Sequence, residues 1–181
     1  ILKVQIECRA LGDDLRWLVA LISDTGMRLA EGAGLLKSDI QLDGDIPFVR
    51  IQKHPWRILK TASSERLIPL CGQALWAAKR IVASDQTSKF AFPRYNQQET
   101  TKANSASAAL NKWLKQYVPI RCTMHSFRHS MRDRLRSVQC PSDIADQIGG
   151  WTTDGVGQGY GSGSPLDVLQ EWMEKAIVGL D

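Results

Sequence analysis

The side chains that could do chemistry in this sequence fall in four short segments. Arg28 ends DTGMR, His125 and Arg128 stand in HSFRHS, Trp151 closes GGW, and Tyr160 sits inside GQGYGSG. A phenol, two guanidiniums, an imidazole and an indole, gathered by a fold, could attack a phosphodiester without a metal. The scissile phosphate concentrates negative charge on its non-bridging oxygens as it becomes pentacoordinate. Arginine forks match those oxygens and stay charged at any working pH. A tyrosine can attack in line and store the bond energy as a covalent ester. Its ordinary pKa of about 10 calls for a base, and a histidine can serve. The departing 5′ oxygen needs a proton, which a lysine can supply.

The elements that must position these groups read as mainly helical with one small antiparallel sheet, an α+β pattern. Asp13 or Asp14 can cap a helix through Leu15, Leu18, Val19 and Ile22, stopped by Gly26. A short helix is predicted over Leu29–Leu35. Asp39–Leu42 and Pro47–Gln52 read as strands joined by an Asp43-Gly44-Asp45 turn, with Leu67–Leu70 as a third. Leu75–Val82 returns to helix, Phe90–Pro93 is a short extended piece, and polar Asn96–Lys102 reads as a loop. Further helices are expected through Leu110–Tyr117, ended by Pro119, and over Ser126–Val138. Two more open at Pro141 and Pro165. The apolar side of Pro165–Val178 fits packing on its own domain and docking on a neighbouring subunit equally well. Glycines at 155, 157, 159, 161 and 163 loosen the chain around Tyr160. His125 and Arg128, three residues apart at a helix start, share a face where the helix N-terminus favours an anion. His129, directly after, is expected to point elsewhere.

Bulk properties suit one soluble domain: 181 residues, 43% apolar and 23% charged. No apolar run approaches the ~18 residues of a membrane span, and with no basic leader followed by an apolar stretch at Ile1 onward, secretion is not expected. The absence of an initiator Met suggests a piece of a longer polypeptide. Cys8, Cys71, Cys122 and Cys140 are too scattered for a disulfide framework or zinc site. The net charge of +4 is unevenly spread. Lys102 to Cys140 holds eight Lys/Arg against one acid, while Pro141 to Asp181 holds seven acids against one Lys. A basic block beside an acidic one suits a nucleic-acid face next to a surface that meets something else.

The chain resembles the catalytic domain of the tyrosine recombinases, more narrowly the bacteriophage and prophage integrases. SDTGMRLAEGAGL from Ser23, LKTASSERLIPL from Leu59, MHSFRHS from Met124 and IGGWTTDGVGQGY ending at Tyr160 carry the resemblance. It implies that Arg28 and Arg128 hold the phosphate, Glu31 orients Arg28, Lys60 protonates the leaving oxygen, His125 does acid–base work and Tyr160 is the nucleophile. Trp151 stands where many relatives carry a second histidine. An indole donates one hydrogen bond but cannot shuttle a proton.

The resemblance further implies site-specific recombination of phage or prophage DNA through a 3′-phosphotyrosyl link, with no cofactor and no metal. The expected partners are double-stranded DNA attachment sites. The expected assembly is a homotetramer of the full-length protein, with residues 1–181 alone a monomeric catalytic domain. The family's core-binding and arm-binding domains would lie outside these residues, and the expected setting is the bacterial cytoplasm and nucleoid. Three other classes compete. A type IB topoisomerase shares the chemistry but not the LAEGAGL and GGWTTDGVGQGY segments. A decayed DNA-binding module would lack a catalytic group, and none is missing. A metal nuclease is disfavoured by three histidines and a single D-x-D in a turn.

Overall fold

The computed structural model describes residues 1–84, 87–97, 100–119, 121–151 and 163–179. In chain order the elements begin with α1 (Leu2–Leu11), α2 (Asp14–Thr25) and α3 (Leu29–Ala33). The strands β1 (Ile40–Gln41), β2 (Phe48–Ile51) and β3 (Arg66–Pro69) follow, then α4 (Gly72–Val82). The two-residue strands β4 (Asn96–Gln97) and β5 (Thr100–Thr101) precede α5 (Ala103–Leu114). The chain continues through α6 (Met124–Ser137), α7 (Ser142–Gly149) and α8 (Leu166–Ala176).

The core forms around α2, whose residues from Leu18 to Ile22 are all 0% exposed. Asp13 caps this helix by accepting a hydrogen bond from the Arg16 amide at 3.0 Å. Gly26 ends it at φ 63°, a left-handed conformation that favours glycine. Space demands glycine there too, because a Cβ would lie 2.8 Å from Met131 on α6. The close approach of α2 to α6 thus sets where the chain leaves for Arg28.

The sheet order is β1-β2-β3, antiparallel throughout, with Val49 opposite both Ile40 and Ile68. Met124, Phe127, Met131 and Leu135 line the buried stripe of α6. Leu169, Met173 and Ala176 of α8 are buried in this chain's own core, against α6 and β3.

Several expectations need correction. The N-terminal helix α1 has no counterpart in the sequence reading. Asn96–Gln97 and Thr100–Thr101, expected in a loop, pair as the β4–β5 ribbon, with Asn96 opposite Thr101. The helix α5 stops at Leu114, so Tyr117 lies in the following turn, its ring 5.0 Å from Trp113. Just before the ribbon, Tyr95 is 4% exposed, and burial raises its phenol pKa. No helix is long and apolar enough to cross a membrane among the described residues.

Candidate active site

Glu31 organises the polar centre of the molecule. Its position three residues into α3 lets Oε2 accept from the Arg28 backbone amide at 2.9 Å, half of a capping box. Its Oε1 accepts from Arg28 Nη1 at 2.7 Å, and Oε2 also accepts from Arg66 Nη2 at 3.0 Å. Burial alone would raise this carboxyl. The Arg66 guanidinium, with the hydrogen bonds from Arg66 and Arg28, outweighs burial and holds the pKa below the usual carboxylate range. Arg66 continues inward, donating to the carbonyls of Ile148 at 2.9 Å and Ser64 at 2.7 Å. Glu31 thus joins α3, β3 and α7 and fixes the direction of Arg28. Arg28 keeps 23% side-chain exposure and makes one further bond, to Ser64 Oγ at 3.1 Å.

Arg128 comes from the opposite side. It lies on the buried stripe of α6 and is 5% exposed. Its Nη1 donates to the carbonyls of Gly26 at 3.0 Å and Gly149 at 2.6 Å, and Nη2 reaches the Gly150 carbonyl at 3.4 Å. The Gly26 bond places it two residues from Arg28, although 100 positions separate the two in sequence. Burial, then the Arg28 and Arg66 charges, push the Arg128 pKa down to about 10, which leaves it charged near neutral pH.

Trp151 lies against this guanidinium, with Arg128 Cζ 4.7 Å and Arg132 Cζ 5.2 Å from the ring centroid. Gly149 is required for that approach, because any Cβ there would overlap the indole.

His125 and Lys60 form the exposed side of the site. Burial comes first among the causes that lower the His125 pKa, followed by His129, Arg128, Arg28 and Lys60. Arg28, Lys60 and Arg128 are therefore all within electrostatic reach of this imidazole, and its neutral, proton-accepting form is favoured. His129 does not point away as expected. Four residues on, its ring meets His125 edge-on at 4.8 Å and 82°.

The structure thus gathers Arg28, Glu31, Lys60, His125, Arg128 and Trp151. Tyr160 lies outside the described residues. Arg66 and Ser64 were overlooked as part of the polar centre, although SSERLIPL carries both. Of the basic block 102–140, Arg128 and Arg134 turn inward, and Arg134 pairs with buried Asp24 at 3.1 Å.

Two inward-held arginines and a neutral-leaning imidazole within electrostatic reach of both can receive an anionic, tetrahedral group and take a proton beside it. The fold matches a solved integrase of the Tn1549 transposon, determined in complex with circular-intermediate DNA. The TM-score is 0.59 at 16% identity, over 88% of this chain and 57% of that one. The class is therefore the integrase catalytic-core fold. The phage integrase family model matches residues 4–173, and the chain belongs to that family. No curated protein sequence gives a significant match.

Proposed function

We propose that the protein breaks and rejoins double-stranded DNA at specific sites by metal-free transesterification. One observation carries the reading: two guanidiniums are brought close by separate supports, Arg28 on Glu31, which Arg66 also holds, and Arg128 on the Gly26 and Gly149 carbonyls. Both are held ready before any anion arrives, so little reorganisation is needed when charge develops at phosphorus. Arg28 and Arg128 bind the non-bridging oxygens, and Trp151 packs Arg128 in place. His125 accepts the proton of the Tyr160 phenol, Tyr160 forms the 3′-phosphotyrosyl link, and Lys60 protonates the 5′ leaving oxygen. The freed 5′ hydroxyl of a partner strand then attacks that link. The bond count is conserved, so no cofactor is consumed.

The chain spans 57% of the length of the solved integrase it matches. The whole protein's partners belong to the same proposal: DNA attachment sites, four copies of the full-length chain on two duplexes, and integration or excision of phage or prophage DNA in the bacterial cytoplasm.

The test is covalent capture. A pool of duplexes with randomised sequence and a nick beside the variable region is incubated with the full-length protein in EDTA. DNA that survives denaturing extraction is sequenced, and the modified residue is mapped by mass spectrometry. The expected result is an enriched site attached to Tyr160, and no adduct from Tyr160→Phe. An adduct on another residue, or one abolished by EDTA, overturns the proposal.

A further inference from the structure

Fourteen residues, 52–65, connect β2 to β3 and carry Lys60. Toward β3 this connection is tied to the arginine cradle through Ser64 and Arg66. Toward β2 a second set of contacts takes no part in the proposed chemistry. His54 Nε2 lies 2.8 Å from Oδ2 of Asp39, which is 1% exposed and also accepts from Gln52 Nε2 at 2.7 Å. The His54 ring stacks on Trp56 at 4.7 Å and 11°, and Trp56 meets Phe90 edge-on at 5.1 Å. The indole N–H donates to the Gly34 carbonyl at 3.1 Å. His54 and Arg57 exchange backbone hydrogen bonds of 3.3 and 3.0 Å, closing a tight turn. Arg57 Nη1 then reaches the Glu31 carbonyl at 2.6 Å. Beyond that point Ile58 is 92% exposed and Lys60 is exposed, with Leu59 between them buried in the core at 7%.

We infer that His54, Trp56 and Arg57 form a clasp that positions the Lys60 loop against Arg28. The inference rests on the proposed role of Lys60 as proton donor. Its physical basis is tether length. Without the clasp, the β2 side of the connection would rest on the buried Leu59 side chain. With it, Arg57 and Leu59 together fix the chain directly before Lys60, and residues 60–63 span to Ser64. Both anchors end on Glu31, one on its carbonyl through Arg57 and the other on its carboxylate through Arg66. The same residue aims Arg28, so the phosphate-holding group and the proton donor share one reference point. A displacement of about 1 Å at a reacting group can cost roughly 100-fold in rate, which is the scale the clasp controls. His54, Trp56 and Arg57 are positioning residues, since none is placed to touch DNA at the scissile bond.

Two measurements on the full-length protein test this. The first compares single-turnover cleavage of the captured duplex with that of the same duplex carrying sulfur at the bridging 5′ position. Sulfur leaves without a proton. His54→Ala and Trp56→Leu are expected to slow the oxygen substrate by roughly 10- to 100-fold and to leave the sulfur substrate near the wild-type rate. Equal slowing on both substrates overturns the inference, because the clasp would then act through something other than Lys60. Lys60→Ala is the control. If sulfur fails to rescue it, the proton-donor role is wrong, whatever the clasp variants do.

The second measurement needs no DNA. Tryptic cleavage after Lys60 is expected to quicken in both clasp variants while cleavage elsewhere keeps its wild-type rate. Trp56→Phe retains the ring and guards against misfolding of the leucine variant. It should quicken cleavage less than Trp56→Leu. An unchanged rate in all three variants overturns the inference.

Discussion

Arg128 and Lys60 both act on the His125 imidazole with a positive charge, yet the protein holds them in opposite ways. Arg128 is 5% exposed on the core stripe of α6, and three backbone carbonyls and an indole surround its guanidinium. Lys60 is exposed on a loop, between the buried Leu59 and the hydrogen-bonded Thr61, so its backbone is held while its side chain is not enclosed. The difference follows from the work proposed for each. A group that stabilises charge at one point gains from being fixed in advance, where no reorganisation accompanies the reaction. A group that delivers a proton must approach and withdraw, and a long stem on a short loop permits that. The fold places the first kind of group inside its core and the second kind on its surface.

Arg128→Ala should break the fixed side most severely. It leaves the Gly26 and Gly149 carbonyls buried without a donor, at a cost of roughly 1–3 kcal/mol each, and removes a phosphate contact worth roughly 10²–10³ in rate. Thermal unfolding and single-turnover cleavage at saturating protein separate the two losses. Recovery of rate at higher protein concentration would mean that Arg128 only binds DNA. Arg28→Ala should lose rate comparably but less stability, since Arg28 is partly exposed and Glu31 keeps Arg66.

Glu31→Gln comes next. Arg66 is 3% exposed at its side chain, and breaking a buried pair from one side costs roughly 3–5 kcal/mol. The Glu31 carboxyl is held below its ordinary pKa, so its stabilisation is complete above the unfolded value and is lost as pH falls through the folded value. Acid unfolding of the Gln variant should therefore show a weaker pH dependence in that range. An unchanged acid limb would remove Glu31 from the centre of the site.

Lys60→Ala sharpens the other side: stability should stay within roughly 0.5 kcal/mol of wild type while cleavage falls. A clear loss of stability would show that Lys60 is built into the fold after all.

The smallest effect concerns His125, whose pKa is lowered from 6.5. The neutral imidazole persists below that pH, so the acid limb of the cleavage profile should lie below 6.5 and vanish in His125→Gln. The linkage has the opposite sign from a paired histidine. Folding resists protonation of His125, so stability falls as pH drops below 6.5, and the Gln variant should be spared that loss. An acid limb above 6.5 would assign it to another group.

The helices around Arg28 are readable in the sequence because apolar periodicity and the stops at Gly26 and Gly34 agree there, and α6 around Arg128 is readable from the four-residue spacing of Phe127, Met131 and Leu135. It concealed α1, where Leu2, Ile6 and Leu11 are exposed while Val4, Gln5 and Cys8 are buried, so apolar spacing does not mark the inner face. Arg66 was concealed for a different reason. A basic residue at the head of a strand reads as solvated, and its counter-charge, Glu31, lies 35 residues away. The partners of the Lys60 loop are similarly remote: Asp39, Gly34 and Glu31 are neighbours of residues 54–57 only after folding. The β4–β5 ribbon is too short and polar to show a two-residue period.

Asp24 carries a consequence for the order in which the molecule comes apart. Its carboxylate is fully buried and accepts from the Gln5 side chain on α1, the Gln73 amide on α4 and Arg134 on α6. Arg134 also donates to the Ala176 carbonyl at the end of α8. Opening any one of these helices strips a partner from a charge that water cannot yet reach. The five helices α1, α2, α4, α6 and α8 are thereby coupled into one cooperative unit. Amide hydrogens of α2 and α6 should exchange with solvent only when the whole domain unfolds, whereas those of residues 58–63 should exchange through brief local openings.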